Sequence, residues 1–202
     1  MIPKTIHQIH MGGSELTSKE IEWQQTWKQH NPHWKHVMWT DAKIAKDLKI
    51  THQDIFDDCK SYSEKSDVLR FEILYQYGGL YIDTDFECLK SIDSLFVDSE
   101  IVIYRENHRA ICGAFFAACK HNPHVKKLID ALPARKKSHG HKAANIKYGP
   151  IYLHEYLPSE IVRNDTKTVY PYLWNEKHRA KENFKKTSPE SYAVHHWNKS
   201  WV

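Results

Sequence analysis

The stretch Ser66–Leu89 reads SDVLRFEILYQYGGLYIDTDFECL, and the fold is decided there. Ser61 with Glu64 makes a capping-box pattern just ahead of it, which predicts a helix running to Tyr77. Gly78-Gly79 supplies a left-handed C-cap. Leu80–Asp83 reads as a short buried strand that empties onto Asp83-Thr84-Asp85. Two carboxylates at i, i+2 past a buried strand end repel each other unless a cation sits beside them. A hard divalent cation takes carboxylate oxygens and keeps waters and substrate phosphates as its other ligands. The pattern therefore predicts a divalent metal carrying a phosphorylated substrate. A solvated acidic turn could spell the same three residues. The apolar GGLYI before them favours the site, because it puts the acids at the carboxyl edge of a sheet, where open α/β folds bind ligands.

Working outward, Thr5–His10 reads as a first strand ending at Gly12-Gly13. Ser18 is the expected cap of an aromatic helix over Lys19–His30, with Trp23 and Trp27 on one face. Asn31-Pro32 stops it. Trp34–Trp39 reads as a second strand and Asp41–Lys49 as a short helix. Glu100–Tyr104 and Gly113–Ala118 are further strands. His124–Leu132 is a helix cut at Pro133, and Arg135–Lys142 is a polar loop. Gly149-Pro150 opens a helix through Tyr156. Thr168–Tyr172 is a late strand, and Tyr192–Trp201 starts strand-like. Strands alternating with helices predict an α/β sandwich with a mostly parallel sheet.

The 202 residues, 41% of them hydrophobic, suffice for one compact domain with a sizeable core. A net charge of +4 suits an anionic small substrate. It is too small for a nucleic-acid footprint, and no helix-turn-helix, RNP or zinc-finger spacing occurs, so no nucleic-acid partner is expected. The four cysteines form no C-x-x-C pair, which argues against a zinc ribbon or a redox motif. Fifteen histidines raise a zinc hydrolase, but no H-E-x-x-H appears. The N-terminus lacks a signal peptide's basic and apolar regions, and no apolar run is long enough to span a bilayer. The expectation is a cytoplasmic protein. The basic Arg135–Lys142 loop is either solvated or a peripheral contact with a membrane or a lipid-linked acceptor.

Three further groups carry candidate chemistry. Asp67 and Arg70, at i, i+3 on the helix, are either an exposed ion pair or a polar clamp on sugar hydroxyls. His195-His196-Trp197-Asn198-Lys199-Ser200-Trp201 is either an aromatic tail on the core or a lid. As a lid it would bring Asn198 or Ser200 oxygens to the metal and the Trp201 indole to phosphate. Ile6-His7-Gln8 is either an ordinary strand or one that offers backbone groups and a ring face to a nucleotide base.

These residues resemble glycosyltransferase family 32, the DXD-containing sugar transferases that include the yeast initiating α-1,6-mannosyltransferase and bacterial capsular polysaccharide transferases. The resemblance rests on IPKTIHQIH (Ile2–His10), NPHWKHVMWTD (Asn31–Asp41), SDVLRFEILYQYGGLYIDTD (Ser66–Asp85), KYGP (Lys147–Pro150) and HHWNKSW (His195–Trp201). It implies a single GT-A domain over residues 1–202, an α/β/α sandwich. It also implies Mn²⁺ or Mg²⁺, a UDP- or GDP-sugar donor, a glycan or lipid-linked acceptor and retention at the anomeric carbon. Asp67 and Arg70 would hold donor-sugar hydroxyls. Asp83 would contact ribose and sugar and reach the metal through water, and Asp85 would bind it directly. Asn198 and Ser200 would complete the metal shell. Ile6, His7, Gln8, Tyr81 and Trp201 are the other expected donor contacts. The family usually carries Trp where His10 stands and often Thr where Tyr148 stands. A retaining route needs no base on the acceptor side; an inverting one would, with Glu106 or Glu155 as candidates. The alternative to an enzyme is a non-catalytic sugar- or nucleotide-binding relative.

Overall fold

The computed structural model describes residues 1–107, 110–176 and 188–198. Its centre is a six-stranded sheet. The strands are β1 (Thr5–Ile9), β2 (Lys35–Trp39), β3 (Gly79–Ile82), β5 (Ile101–Arg105), β6 (Ile111–Ala118) and β7 (Val162–Arg163), in the order β2-β1-β3-β6-β5-β7. The β1–β2, β1–β3 and β5–β7 pairings are parallel, while β6 runs antiparallel to both of its neighbours. The predicted mostly parallel sheet is present, with β6 as the reversed strand. A second, two-stranded sheet pairs β4 (Phe86–Cys88) with β8 (Ala193–His195).

Alternation along the strands sends side chains into two cores, one on each face of the sheet. Tyr81, Ile103 and Phe116 face one core, where they meet helix α4 (Tyr62–Tyr77), α5 (Pro123–His139) and α7 (Pro150–Tyr156). Leu80, Ile82, Phe115 and Val102 face the other, closed by α1 (Ser18–His30) and the β4–β8 pair. Trp27 seals that layer by donating its indole N–H to the Phe86 carbonyl at 2.8 Å. Short helices α2 (Asp41–Asp47), α3 (Gln53–Asp58) and α6 (Ala144–Lys147) complete the chain.

The glycine doublet does more than cap α4. Gly78 and Gly79 have φ of 65° and 100°, in the left-handed region. A Cβ on Gly79 would stand 2.4 Å from the Thr5 carbonyl oxygen, so only glycine lets β3 enter the sheet this close to β1. The helix starts differ slightly from the sequence reading. Thr17, not Ser18, caps α1, in a full capping box with Glu20. Ser61 caps α4, but Glu64 reaches past it to the Lys60 N–H.

Two expectations are corrected here. Thr168–Tyr172 is not a strand: a 3-10 turn covers Thr166–Thr168, and the Tyr170 N–H returns to the Thr166 carbonyl. Its apolar side chains fill the core without joining a ladder. The Arg135–Lys142 loop is helical as far as His139, because α5 continues through Pro133. Burial of Leu128, Ile129 and Leu132 outweighs the hydrogen bond that proline cannot make. Arg135 is buried, not offered to a membrane. Its guanidinium binds the Lys147 and Ile146 carbonyls and the Glu155 carboxylate. That pairing leaves Glu155 outside the cavity described below.

His7 gives a stability prediction. Its Nδ1 accepts from the Trp39 indole at 3.0 Å, so its Nε2 carries the proton and donates to the Gly78 carbonyl at 2.9 Å. Burial pushes this imidazole from 6.5 down to about 4. The folded ring stays neutral while the unfolded one binds a proton below about pH 6.5. Stability is therefore fully present above pH 6.5 and falls as pH drops toward 4, by about 3 kcal/mol from this one group. Urea melts from pH 7 to 4.5 should show that loss, and His7→Gln should flatten it. An unchanged slope in His7→Gln would refute the assignment.

Candidate functional site

The carboxyl end of β3, the first half of α4 and the end of β8 converge on one cavity of about 460 Å³. Helix α4 supplies Asp67 and Arg70, one turn apart and both buried. The guanidinium Nη2 lies 3.0 Å from Asp67 Oδ1 and 3.5 Å from Asp83 Oδ1, and the group stacks on Tyr81 at 4.7 Å. A Cβ on Gly113 would come within 2.4 Å of Arg70 Nη1, so β6 gives way with a glycine where the guanidinium must lie. Burial raises the Asp67 carboxyl from 3.8 to about 6 despite Arg70. The pair is thus a buried ion pair on the cavity wall, not an exposed one.

Asp83 and Asp85 follow from the end of β3, and their carboxylates converge. Tyr81 donates its hydroxyl to Asp83 Oδ1 at 2.7 Å, and burial with the nearby Asp83 charge drives that phenol well above its ordinary value. Asp85 is 7% exposed. His195 Nε2 stands 3.0 Å from Asp85 Oδ1, and the Asn198 backbone N–H donates to Oδ2 at 2.7 Å. Burial opposes ionisation of Asp85, but His195 and the Asn198 N–H outweigh it and hold the carboxyl below its usual range. Burial likewise disfavours the His195 cation, and the facing Asp85 and Asp83 more than compensate, so its pKa is raised.

The residues fit a divalent cation. Ligand atoms of Asp83, Asp85 and His195 lie within 4.8 Å of one another. Among the described residues, Asp67, Asp83 and Asp85 share this wall with one guanidinium, that of Arg70. Arg70 Nε and His195 Nδ1 are buried with no hydrogen-bond partner among the described residues. Buried polar atoms left open are costly and call for a ligand. Hard oxygen donors of this kind suit Mg²⁺ or Mn²⁺.

Thr84, between the two acids, is also tied down. Its hydroxyl donates to Glu20 Oε1 at 2.7 Å, while Glu20 Oε2 accepts from the Thr17 N–H at 2.9 Å and hydroxyl at 2.8 Å. One carboxylate thereby caps α1 and braces the acidic turn. Thr84→Val removes a hydrogen bond to a charged acceptor, worth about 1.5 kcal/mol or more. Thermal melts should fall by about 3–6 °C; no change would show that the strut is idle.

The remaining sequence candidates divide. Ile6 and His7 point into the protein, and Gln8 donates to the Asp83 carbonyl at 3.4 Å. None of the three lines the cavity; Ile9, His10 and Met11, at the end of the same strand, do. The strand's parity sends Ile6 into one core and its neighbour's ring against Trp39. Asn198 reaches Asp85 through its backbone, and Ser200 and Trp201 lie outside the described residues. Sequence reasoning does not single out His195 as the partner of Asp85. Its signal is position: it precedes Asn198 by three in a strand that pairs with the segment just after the acidic turn.

Residues 17–102 match the family described as a glycosyltransferase sugar-binding region containing a DXD motif. The DXD motif of this chain is Asp83-Thr84-Asp85. The chain is 25% identical over 190 residues to inositol phosphoceramide mannosyltransferase 3 of Schizosaccharomyces pombe, covering 89% of this chain and 53% of that protein. It thus spans about half the length of that curated relative. Among solved structures, the PaToxG glycosyltransferase superposes with a TM-score of 0.67 at 22% identity, over 79% of this chain and 70% of that one. The UDP-bound glycosyltransferase domain of the YGT toxin gives 0.56 at 11% identity, over 82% and 80%. The fold is that of the GT-A glycosyltransferases.

Proposed function

We propose that this DXD protein is a metal-dependent, retaining glycosyltransferase. It moves a hexose from a nucleoside diphosphate sugar to a hydroxyl of a glycan, glycolipid or other acceptor. The observation that carries the reading is the convergence of Asp83 and Asp85 beside the buried Asp67–Arg70 clamp on one cavity. A bound Mg²⁺ or Mn²⁺ would supply charge neutralisation for the departing diphosphate, with Asp85 and Asp83 as its protein ligands.

The chain's own residues do the rest. Arg70 donates to sugar oxygens and Asp67 accepts from sugar hydroxyls, in a geometry fixed by burial before the donor arrives. Such preorganisation is where most of the catalytic advantage arises. Tyr81 holds Asp83 in its rotamer. His195 and the Asn198 N–H keep Asp85 ionised. The residues described around the two cores act as one domain in this reading. Among the described residues, no helix is long and apolar enough to cross a membrane.

Donor identity is open to direct assay. Mannose is the first sugar to test, because a relative is named as a mannosyltransferase. UDP sugars come next, because the YGT toxin domain of the same fold binds UDP. GDP-mannose, UDP-glucose, UDP-galactose and UDP-N-acetylglucosamine should be incubated with the protein and Mn²⁺. Nucleoside diphosphate should be released from one of them and chelator should abolish the release. A protein that hydrolyses none and binds neither UDP nor GDP would contradict the proposal.

A further inference from the structure

A second cavity, of about 420 Å³, opens beside the first. It is built from the end of β5, the segment after β7 and the turn at Tyr170–Glu176. Among the described residues, Glu106 alone lines both cavities. Glu106 is not free to wander: its N–H donates to the Ala110 carbonyl at 3.0 Å, and Asn107 donates to its Oε1 at 3.2 Å. The Cys112 thiol is a further hydrogen-bond neighbour of this carboxylate, and a carboxylate has lone pairs enough to accept from a ligand as well.

The second cavity has a definite chemistry. Asn164 and Thr166 bring amide and hydroxyl groups, and the Tyr170 and Tyr172 rings bring apolar faces, a combination that suits a polyol. Arg105 and Lys167 add two cations. Arg105 Nε donates to Asn164 Oδ1 at 3.0 Å and its Nη1 meets His154 Nδ1 at 3.5 Å, and neither cation has a carboxylate within ion-pair distance among the described residues. Glu176, on the same rim, accepts from the Leu173 N–H at 2.9 Å. A guanidinium held in place at Nε and Nη1, beside a lysine, still offers Nη2 to a carboxylate or phosphate.

We propose that the second cavity is the acceptor subsite, that it takes a polyol bearing an anionic group, and that Glu106 accepts a hydrogen bond from a hydroxyl next to the reacting one. In the transfer, the acceptor oxygen bonds to the anomeric carbon as the bond from that carbon to the diphosphate oxygen breaks. The electron pair leaves with the diphosphate, and the hydroxyl proton passes to that departing oxygen. Glu106 orients the acceptor at the boundary between the two substrates through that neighbouring hydroxyl, while Arg105 and Lys167 hold the anionic group at the far side.

This inference rests on the transferase reading, and the test separates the two. The protein is titrated with glucuronate, glucose 6-phosphate and glucose, and with phosphatidylcholine vesicles that contain or lack phosphatidylinositol. UDP and GDP titrations run on the same samples. The charged probes should bind more tightly than glucose, and the double variant Arg105→Gln, Lys167→Gln should weaken them about tenfold or more. Nucleotide affinity in that variant should stay at the wild-type value, which also shows that it folds. Binding of the soluble probes points to a free acidic sugar as the source; binding of the phosphatidylinositol vesicles alone points to a lipid headgroup. With a bound probe present, Glu106→Gln should shift donor turnover from transfer toward hydrolysis. Nucleotide binding with no probe binding, or probe binding indifferent to the double variant, overturns the subsite. A bound probe that is never glycosylated, or an unchanged partition in Glu106→Gln, overturns the role of Glu106. Absence of nucleotide binding in the wild type counts against the transferase reading itself.

Discussion

Asp85→Asn is expected to lower sugar transfer and donor hydrolysis by on the order of 10²-fold or more, while the protein stays folded. Asp85 is buried, carries the lowered carboxyl pKa of the site, and faces Asp83 across the space where a cation would sit. The amide keeps the shape and can still accept from the Asn198 N–H. It loses the charge that attracts a metal and balances His195. The imidazole can shift to its other tautomer and accept from the new amide, so the melting temperature should change little. Initial rates at saturating Mn²⁺, set beside a thermal melt, check both halves. Full activity in Asp85→Asn would show that the acidic pair is only an elaborate turn. A collapse in stability would mean that Asp85 serves the fold first.

Arg70→Met should have the largest effect on stability. The guanidinium lies among Asp67, Asp83 and the Tyr81 ring, with a glycine kept behind it for space. Methionine fills much of the volume but leaves a buried carboxylate with no countercharge. Breaking a buried pair on one side costs about 3–5 kcal/mol. The burden falls on Asp67, whose carboxyl burial has already raised to about 6. Adding Asp67→Asn to Arg70→Met should therefore recover a substantial part of the loss, because it removes the stranded charge. Urea titrations of the two single variants and the double variant give the coupling directly. Strict additivity would show that the two side chains do not act as a unit. Activity should not return in the double variant, since the proposed contacts to the sugar are gone even when the fold is rescued.

The most legible part of the sequence is local. The cap at Ser61, the glycine doublet, the apolar GLYI and the acids follow one another, so each signal fixes the next. The pairing of β4 with β8 is not legible. Each strand is three residues long and their registers join Phe86 to His195, so nothing local marks them as partners. His195 escapes sequence reasoning for the same reason: only the pairing brings it to Asp85. Arg135 misleads because a basic, polar stretch after a proline looks solvated. Its burial depends on carbonyls at Ile146 and Lys147 that a separate helix presents. The 3-10 turn before Tyr170 carries strand-like residues, whose burial comes from packing and not from a ladder. Asp67 and Arg70 lie between these extremes. Their spacing allows a surface pair, and only the wall of β6, opened by Gly113, makes them a buried one.

The most direct test is crystallographic. Crystals of the protein grown with Mn²⁺ and the nucleoside diphosphate of the donor that it hydrolyses should be measured at the manganese absorption edge. An anomalous peak is expected against the Asp85 carboxylate, bridging to the diphosphate, with Asp83 beside it and the Arg70 guanidinium facing the empty sugar position. A well-ordered nucleotide with no peak there, or a peak only at surface acids elsewhere, would contradict a metal-assisted transfer at this acidic pair.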